Sequence, residues 1–208
     1  MNTIKVSYDR ELLWSKPNQQ DTAIISMRIA GSPKTLELHK MKEFVEKIAL
    51  DGHTFCPATF KDGKRSKDNF EQQQLFALDF DNKDPDKTVS FKDVKDRAEK
   101  YDLPILFAYD TFSSTNHDKF RVVFLNDSSI QDRRIAEAMQ LALGTIFPEA
   151  DSSCYKDVSK MYFGGKSYQF YDSSLPTINI ESVFRGAIYN QKDKSGKHLK
   201  EWLRNTNI

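Results

Sequence analysis

Residues 75–82, Leu-Phe-Ala-Leu-Asp-Phe-Asp-Asn, join an apolar run to two carboxylates, Asp79 and Asp81. Side chains of a β-strand alternate faces, so this spacing points both acids the same way, a few ångströms apart. Two like charges at the end of a buried strand are unfavourable unless a cation lies between them. Carboxylate oxygens select hard cations such as Mg²⁺ or Mn²⁺. The chemistry expected is metal-dependent phosphoryl transfer. Two divalent ions about 3.5–4 Å apart call for a third acid. Asp151, closing Phe-Pro-Glu-Ala-Asp at 147–151, is the first choice and Asp157 the reserve. A turn or helix cap is an equal alternative for either.

A second constellation runs from Ser113 to Arg121, Ser-Ser-Thr-Asn-His-Asp-Lys-Phe-Arg. Lys119 and Arg121 alternate with Phe120 and Val122 and so share a strand face, and His117 joins them if the strand starts early. Together with the Ser113 hydroxyl they form the row of donors that a triphosphate needs. The competing reading is a basic pair on the solvent face of a hairpin. A third stretch, 157–166, sets Lys160 and Lys166 around Gly164-Gly165, where a backbone can approach a ligand closely. A zinc site at His53 and Cys56 is not expected, because no second Cys or His stands at ligand spacing. The sequence shows neither a nucleophile with its base nor a Walker-type loop.

The elements that must position these residues follow from periodicity. A strand is expected over 23–29, an amphipathic helix over 37–50, irregular polar chain over 51–70 and the acidic strand over 75–81. Ser90 with Asp93 reads as the cap of a helix whose stripe is Phe91, Val94, Ala98 and Tyr101. Strands 105–109 and 120–125 form a hairpin, a helix covers 130–147, and short strands are expected at 160–163 and 168–171. Residues 191–196 read as a linker and 197–204 as the start of a helix. The order indicates an α+β fold around a largely antiparallel sheet.

The chain has 208 residues, 38% apolar and 29% charged, which suits one generous soluble domain. Its net charge is +1 and therefore does not advertise nucleic-acid binding. Local clusters do stand out, at Lys61, Lys64, Arg65 and Lys67 and again at Lys192, Lys194, Lys197, Lys200 and Arg204. Each of them reads equally as a solvated surface. No apolar stretch approaches the roughly 20 residues of a membrane span, and no signal peptide follows Met1. With its two cysteines far apart, the chain is expected to be cytoplasmic.

In order, these motifs resemble the archaeo-eukaryotic primase superfamily, and within it the primase-polymerase domains of phage and mobile-element replication proteins. That family carries an acidic pair after an apolar strand, here residues 76–82. A Ser-containing loop then leads into a strand with a basic residue, here 111–114 through 119–124. A third acid precedes a Ser-Arg/Lys and glycine turn, here Asp151, Ser159-Lys160 and Gly164-Gly165. The lead-in at 52–58, Gly-His-Thr-Phe-Cys-Pro-Ala, is also similar. Many members carry a Ser-x-His motif on the strand, and this chain departs by placing Arg121 there and His117 in the loop.

The resemblance implies an RRM-like, mostly antiparallel sheet with flanking helices plus an N-terminal α/β unit. Residues 1–190 would be the catalytic domain, with the N-terminal unit about 1–70 and the core about 71–190, and 191–208 would be linker and helix start. It further implies DNA priming or polymerisation with Asp79, Asp81 and Asp151 holding Mg²⁺ or Mn²⁺. Ser113, His117, Lys119, Arg121 and Lys160 would bind nucleotide. The partners implied are a single-stranded DNA template, nucleoside triphosphates and a helicase in cis or in trans, the chain being a piece of a longer replication protein in the first case. Two other readings stand beside it: a nucleic-acid-binding replication module without catalysis, and a haloacid-dehalogenase-like phosphatase, which also begins with a strand ending in DxD.

Overall fold

The acidic strand lies at the centre of the computed structural model, which describes residues 2–192. The elements in chain order are β1 (Thr3–Tyr8), α1 (Gln19–Ala30), β2 (Pro33–Glu37), α2 (Met41–Ala49), β3 (Phe55–Cys56), β4 (Ala58–Phe60) and β5 (Phe70–Phe80). They continue with α3 (Phe91–Lys100), β6 (Phe107–Thr111), β7 (Phe120–Ile130), α4 (Arg133–Ile146), β8 (Gly165–Tyr171) and α5 (Ile180–Lys192). A three-stranded sheet has the order β2-β1-β3 and a five-stranded sheet the order β4-β5-β7-β6-β8. Neighbouring strands in both sheets are antiparallel. The fold is α+β, with antiparallel sheets and flanking helices. The parallel, doubly wound sheet of a haloacid-dehalogenase-like phosphatase is not what these strands form, so that reading is set aside.

Helix α3 carries the chain from β5 to β6 while β7 pairs between them, which is the split β-α-β arrangement of RRM-like sheets. Strand β8 lies on the outer edge of β6, and β4, from the N-terminal part of the chain, takes the outer edge of β5.

Strand β5 is covered on both faces, and for that reason its sequence is a continuous apolar run rather than an alternating one. Leu75 and Ala77, with Phe107, Val123 and Leu125, pack on Ile4 and Val6 of β1 and on Met41, Phe44, Val45 and Ile48 of α2. Phe76, Leu78 and Phe80, with Ala108, Val122 and Phe124, pack on Val94 of α3, Met139 and Leu143 of α4 and Val183 of α5. Each fully buried phenylalanine contributes roughly 2–3 kcal/mol of transfer free energy. Parity along β5 places Asp79 on the face of Leu75 and Ala77, where the apolar cover of β1 and α2 gives out.

The expected helices at 37–50, at Ser90 and at 130–147 are present, and Ser90 and Asp93 form a full capping box. Residues 23–29 are not a strand; they lie in α1. Ile25, Met27 and Ile29 alternate as in a strand, but the segment is capped at Asn18, whose side chain accepts from the Asp21 N–H. Ile25 and Ile29, one turn apart, are buried, while Ile24 and Met27 are exposed. Apolar residues on both faces of α1 hide the helical period.

The stretch 51–70 contains β3 and β4, and of 160–163 only Tyr162 bridges to Phe55. Residues 191–192 end α5 and are not linker; 193–208, with the helix expected at 197–204, lie outside the described residues. Among the described residues no helix is long and apolar enough to cross a membrane.

Candidate active site

Asp79 faces Arg121 of β7 directly across the sheet, and Arg121 in turn faces Tyr109 of β6. Arg121 donates from Nε to Asp79 Oδ1 at 3.1 Å and from Nη2 to Oδ2 at 3.3 Å. Its Nη1 donates to the Phe163 carbonyl and, at 3.3 Å, to the Tyr109 hydroxyl, which itself donates to the Phe163 carbonyl at 3.0 Å. The guanidinium also lies 5.6 Å from the Tyr162 ring centroid and 5.8 Å from that of Tyr109. Burial pulls the Arg121 pKa down, but the Asp79 charge, the Tyr109 hydroxyl and the hydrogen bonds to both together outweigh it, and the net shift is upward. Burial pushes the Tyr109 hydroxyl up to about 12. Each of the three nitrogens of this buried arginine therefore donates to a protein acceptor.

Asp81 lies just past the end of β5, and its carboxylate pairs with Lys83. The turn between them is fixed by Asn82, a non-glycine residue at φ +45. Its side chain donates to the carbonyls of Val89 at 2.9 Å and Asp118 at 2.7 Å and accepts from the Val89 N–H at 3.0 Å. Local hydrogen bonding of this kind is what lets asparagine occupy the left-handed region.

Asp151 reaches the same place from elsewhere in the chain. Its N–H donates to the carbonyl of Asp79 at 2.7 Å, which ties the segment after α4 to the end of β5. The carboxylate caps a short 3₁₀ turn, accepting from the Ser153 N–H at 2.9 Å and hydroxyl at 2.8 Å, and Lys160 Nζ lies 3.6 Å away. Burial alone would raise the Asp151 pKa, but the Ser153 donors and Lys160 outweigh it and leave the acid lowered. Asp157 instead accepts from its own neighbour Ser159, N–H at 2.9 Å and hydroxyl at 2.6 Å, and does not line the cleft. Of the two candidate third acids, Asp151 is the one at the site.

Asp79, Asp81 and Asp151 line one cleft of about 220 Å³ together with Ser113, Arg121, Lys160, Lys16, Lys83, Thr111, Phe112, Met161, Phe163 and Gly164. His117 and Lys119 do not line it. The parity of Asp110 carries His117 to the helix-covered face, where His117 Nδ1 lies 2.8 Å from the Asp110 carboxylate and the residue adopts φ +58. Ser167 and Gln169 donate to the same carboxylate, at 2.5 and 2.6 Å. A larger cavity, about 490 Å³, lies between β1 and β5 and is lined by Lys5, Glu71, Gln72 and Gln74 among others. It brings together no such set of acids.

Lys16 was not foreseen from the sequence; it arrives on the segment joining β1 to α1. That segment crosses over Gly52, with the Leu13 N–H donating to the Gly52 carbonyl at 3.3 Å. Gly52 has φ +82, and a Cβ there would lie 2.2 Å from the Leu13 carbonyl oxygen. A Cβ on Gly164 would lie 2.4 Å from the carbonyl carbon of Gly52. Three stretches of backbone thus stack without side chains between them, and the paired glycines of the sequence supply part of that contact.

The three carboxylates are matched by three cations: Asp79 by Arg121, Asp81 by Lys83 and Asp151 by Lys160. As placed, no three His, Cys, Asp or Glu among the described residues are grouped to hold a metal ion. Lys83 nevertheless shows where a cation is favoured. Its ammonium is stabilised first by Asp81, then by Asp151 and Asp79, and its pKa is raised accordingly. That side chain is 75% exposed, so it can leave and expose the same negative potential to a dication. The donor set fits a hard divalent cation on these terms.

No protein-family model matches the chain, and none of the curated proteins matches it by sequence. Among solved structures, the chain is similar to the AEP domain of the primase-polymerase (PrimPol) of cyanophage S-2L. The identity is 12%, the match covers 89% of each chain, and the TM-score is 0.46.

Proposed function

We propose that the chain is a metal-dependent nucleotidyltransferase of the primase-polymerase type, extending or initiating a strand on a single-stranded DNA template. The observation that carries this reading is the convergence of Asp79, Asp81 and Asp151, from separate parts of the sequence, on one cleft that also holds lysines. Asp79, Asp81 and Asp151 would hold Mg²⁺ or Mn²⁺. Such ions lower the pKa of a 3′-hydroxyl and neutralise a triphosphate.

The chain's own residues divide the remaining work. Lys160 and the Ser113 hydroxyl are the groups presented to the phosphate oxygens of the nucleotide. Arg121 is already engaged with Asp79, Tyr109 and the Phe163 carbonyl, so its role is to hold Asp79 in one orientation. His117 and Lys119, outside the cleft, are not assigned to the incoming nucleotide.

The test is incorporation of labelled nucleotides on single-stranded DNA, with and without primer, in Mg²⁺ and in Mn²⁺. Asp81→Asn is the informative control, because Asp81 is partly exposed and its loss strands no buried partner. Metal-dependent product that disappears in Asp81→Asn is expected. Absence of product beside metal-independent DNA binding would instead select the binding-module reading, which the Arg121 clasp on Asp79 favours.

A further inference from the structure

We propose that Trp14 and Lys16 form a landing station for single-stranded nucleic acid at the rim of the cleft. The indole would stack on a base, and the ammonium would hold the adjoining phosphate. The identity of the strand as template rests on the function proposed above; the station itself rests on separate observations.

Trp14 is 82% exposed, the most exposed of the large apolar side chains described. An indole left in water contributes little to folding and keeps a large apolar face free to stack on an external partner. Leu12, Ile24 and Met27 are exposed as well, Met27 at 68%. The backbone on either side of the indole is anchored. Leu13, next to it, is packed against the core and bonded to Gly52. Upstream, Arg28 donates to Asp9 from Nε at 2.9 Å and from Nη2 at 2.6 Å, and the Asp9 N–H donates to the Thr54 carbonyl at 2.8 Å. Downstream, Asn18 caps α1. An aromatic carried on an anchored backbone gives up less entropy on binding than one on a free segment.

Charge decides between possible occupants. Lys16, two residues on, lines the cleft and makes no ion pair among the described residues. Arg65 donates to the Ser26 hydroxyl at 2.9 Å, so the basic loop of Lys61, Lys64, Arg65 and Lys67 lies against α1 next to Met27. An exposed aromatic two residues from a lysine that makes no ion pair among the described residues, with further basic residues on the same side of α1, is the pattern that binds single strands through stacking and phosphate contact without reading sequence.

The experiment uses the full chain carrying Trp202→Phe, so that Trp14 is the sole indole. Its emission is followed while short oligothymidylate is added, without metal or nucleotide. Saturable quenching is expected, with Trp14→Ala binding at least ~fivefold more weakly, Trp14→Phe retaining most of the affinity, and Lys16→Gln reducing the salt slope by about one. Unchanged emission, or Trp14→Ala binding as tightly as the parent, overturns the station. Self-association that is lost in Trp14→Ala while oligonucleotide binding is kept would also overturn it, making the patch a contact between copies. The two proposals fail separately: quenching without incorporation removes only the catalytic reading, and incorporation that Asp81→Asn abolishes, with no quenching, removes only the station.

Discussion

Arg121 donates to both carboxylate oxygens of Asp79, and the two side chains are only 10% and 9% exposed. Taking a charge pair out of water is expensive, so the pair is better evidence of a positioned carboxylate than of stability. Removing one partner is worse than removing both. Asp79→Ala, which strands the guanidinium, is expected to destabilise the fold by about 3–5 kcal/mol. The double variant Asp79→Leu/Arg121→Met should recover most of that. Urea unfolding of the double variant and of its two single variants decides it, and losses that simply add would show that the pair is not coupled.

The glycine stack predicts a contrast between two substitutions. Gly164→Ala drives a methyl into the Gly52 backbone and should cost about 2–3 kcal/mol. Gly63→Ala, at φ +61 with the Gly31 Cα no closer than 3.9 Å, should cost only the roughly 1 kcal/mol of a left-handed alanine. Thermal melts of both variants check the ranking, and Gly164→Ala should also move Lys16 away from the cleft.

Lys83 competes with any dication for Asp81. Lys83→Ala is expected to raise Mn²⁺ affinity about three- to fivefold, because an exposed ion pair is worth up to about 1 kcal/mol. Asp81→Asn should lower it. Calorimetric titration with MnCl₂ measures both, and an affinity indifferent to both changes would place the ion elsewhere.

The lowered pKa of Asp151 has a definite sign. Its folded value lies below the unfolded value of about 3.9, so its stabilisation is complete above about pH 5 and is lost as pH falls through the folded pKa. Lys160→Met should shift the Asp151 titration upward, as followed by carboxyl-carbon NMR, and should narrow the difference in stability between neutral and acid solution.

Cys56 and Cys154 are both buried, and burial pushes the Cys56 thiol up to about 12. Neither should react with an aromatic disulfide reagent at neutral pH until the chain unfolds. The rate of labelling in increasing urea then reports opening of the core, whereas rapid labelling in its absence would contradict the burial.

What the sequence made legible was the part governed by short-range pattern. Asp79 and Asp81 could be read because an apolar strand ending in acids has few structural uses, and the Ser90 cap because its partner is three residues on. The exclusion of His117 was hidden, since it depends on Asp110, seven residues before it, lying on the opposite face and drawing the imidazole there. Lys16 was hidden because a glycine stack linking residues 13, 52 and 164 leaves no local signature. Asp151 and Asp157 were equal in sequence; a backbone hydrogen bond to Asp79 separates them.

Strand β4 belongs by sequence to the N-terminal part of the chain, yet it pairs with β5, Ala58 opposite Gln73 and Phe60 opposite Phe70. The seam between the two parts therefore runs through a sheet and not through a linker. A chain trimmed to begin at β5 would present an unpaired edge carrying Phe70 and three successive glutamines, a template for adhesion to other chains. The first seventy residues act as the chaperone of the acidic strand as well as the roof of the cleft beside it, and excising them would forfeit solubility first.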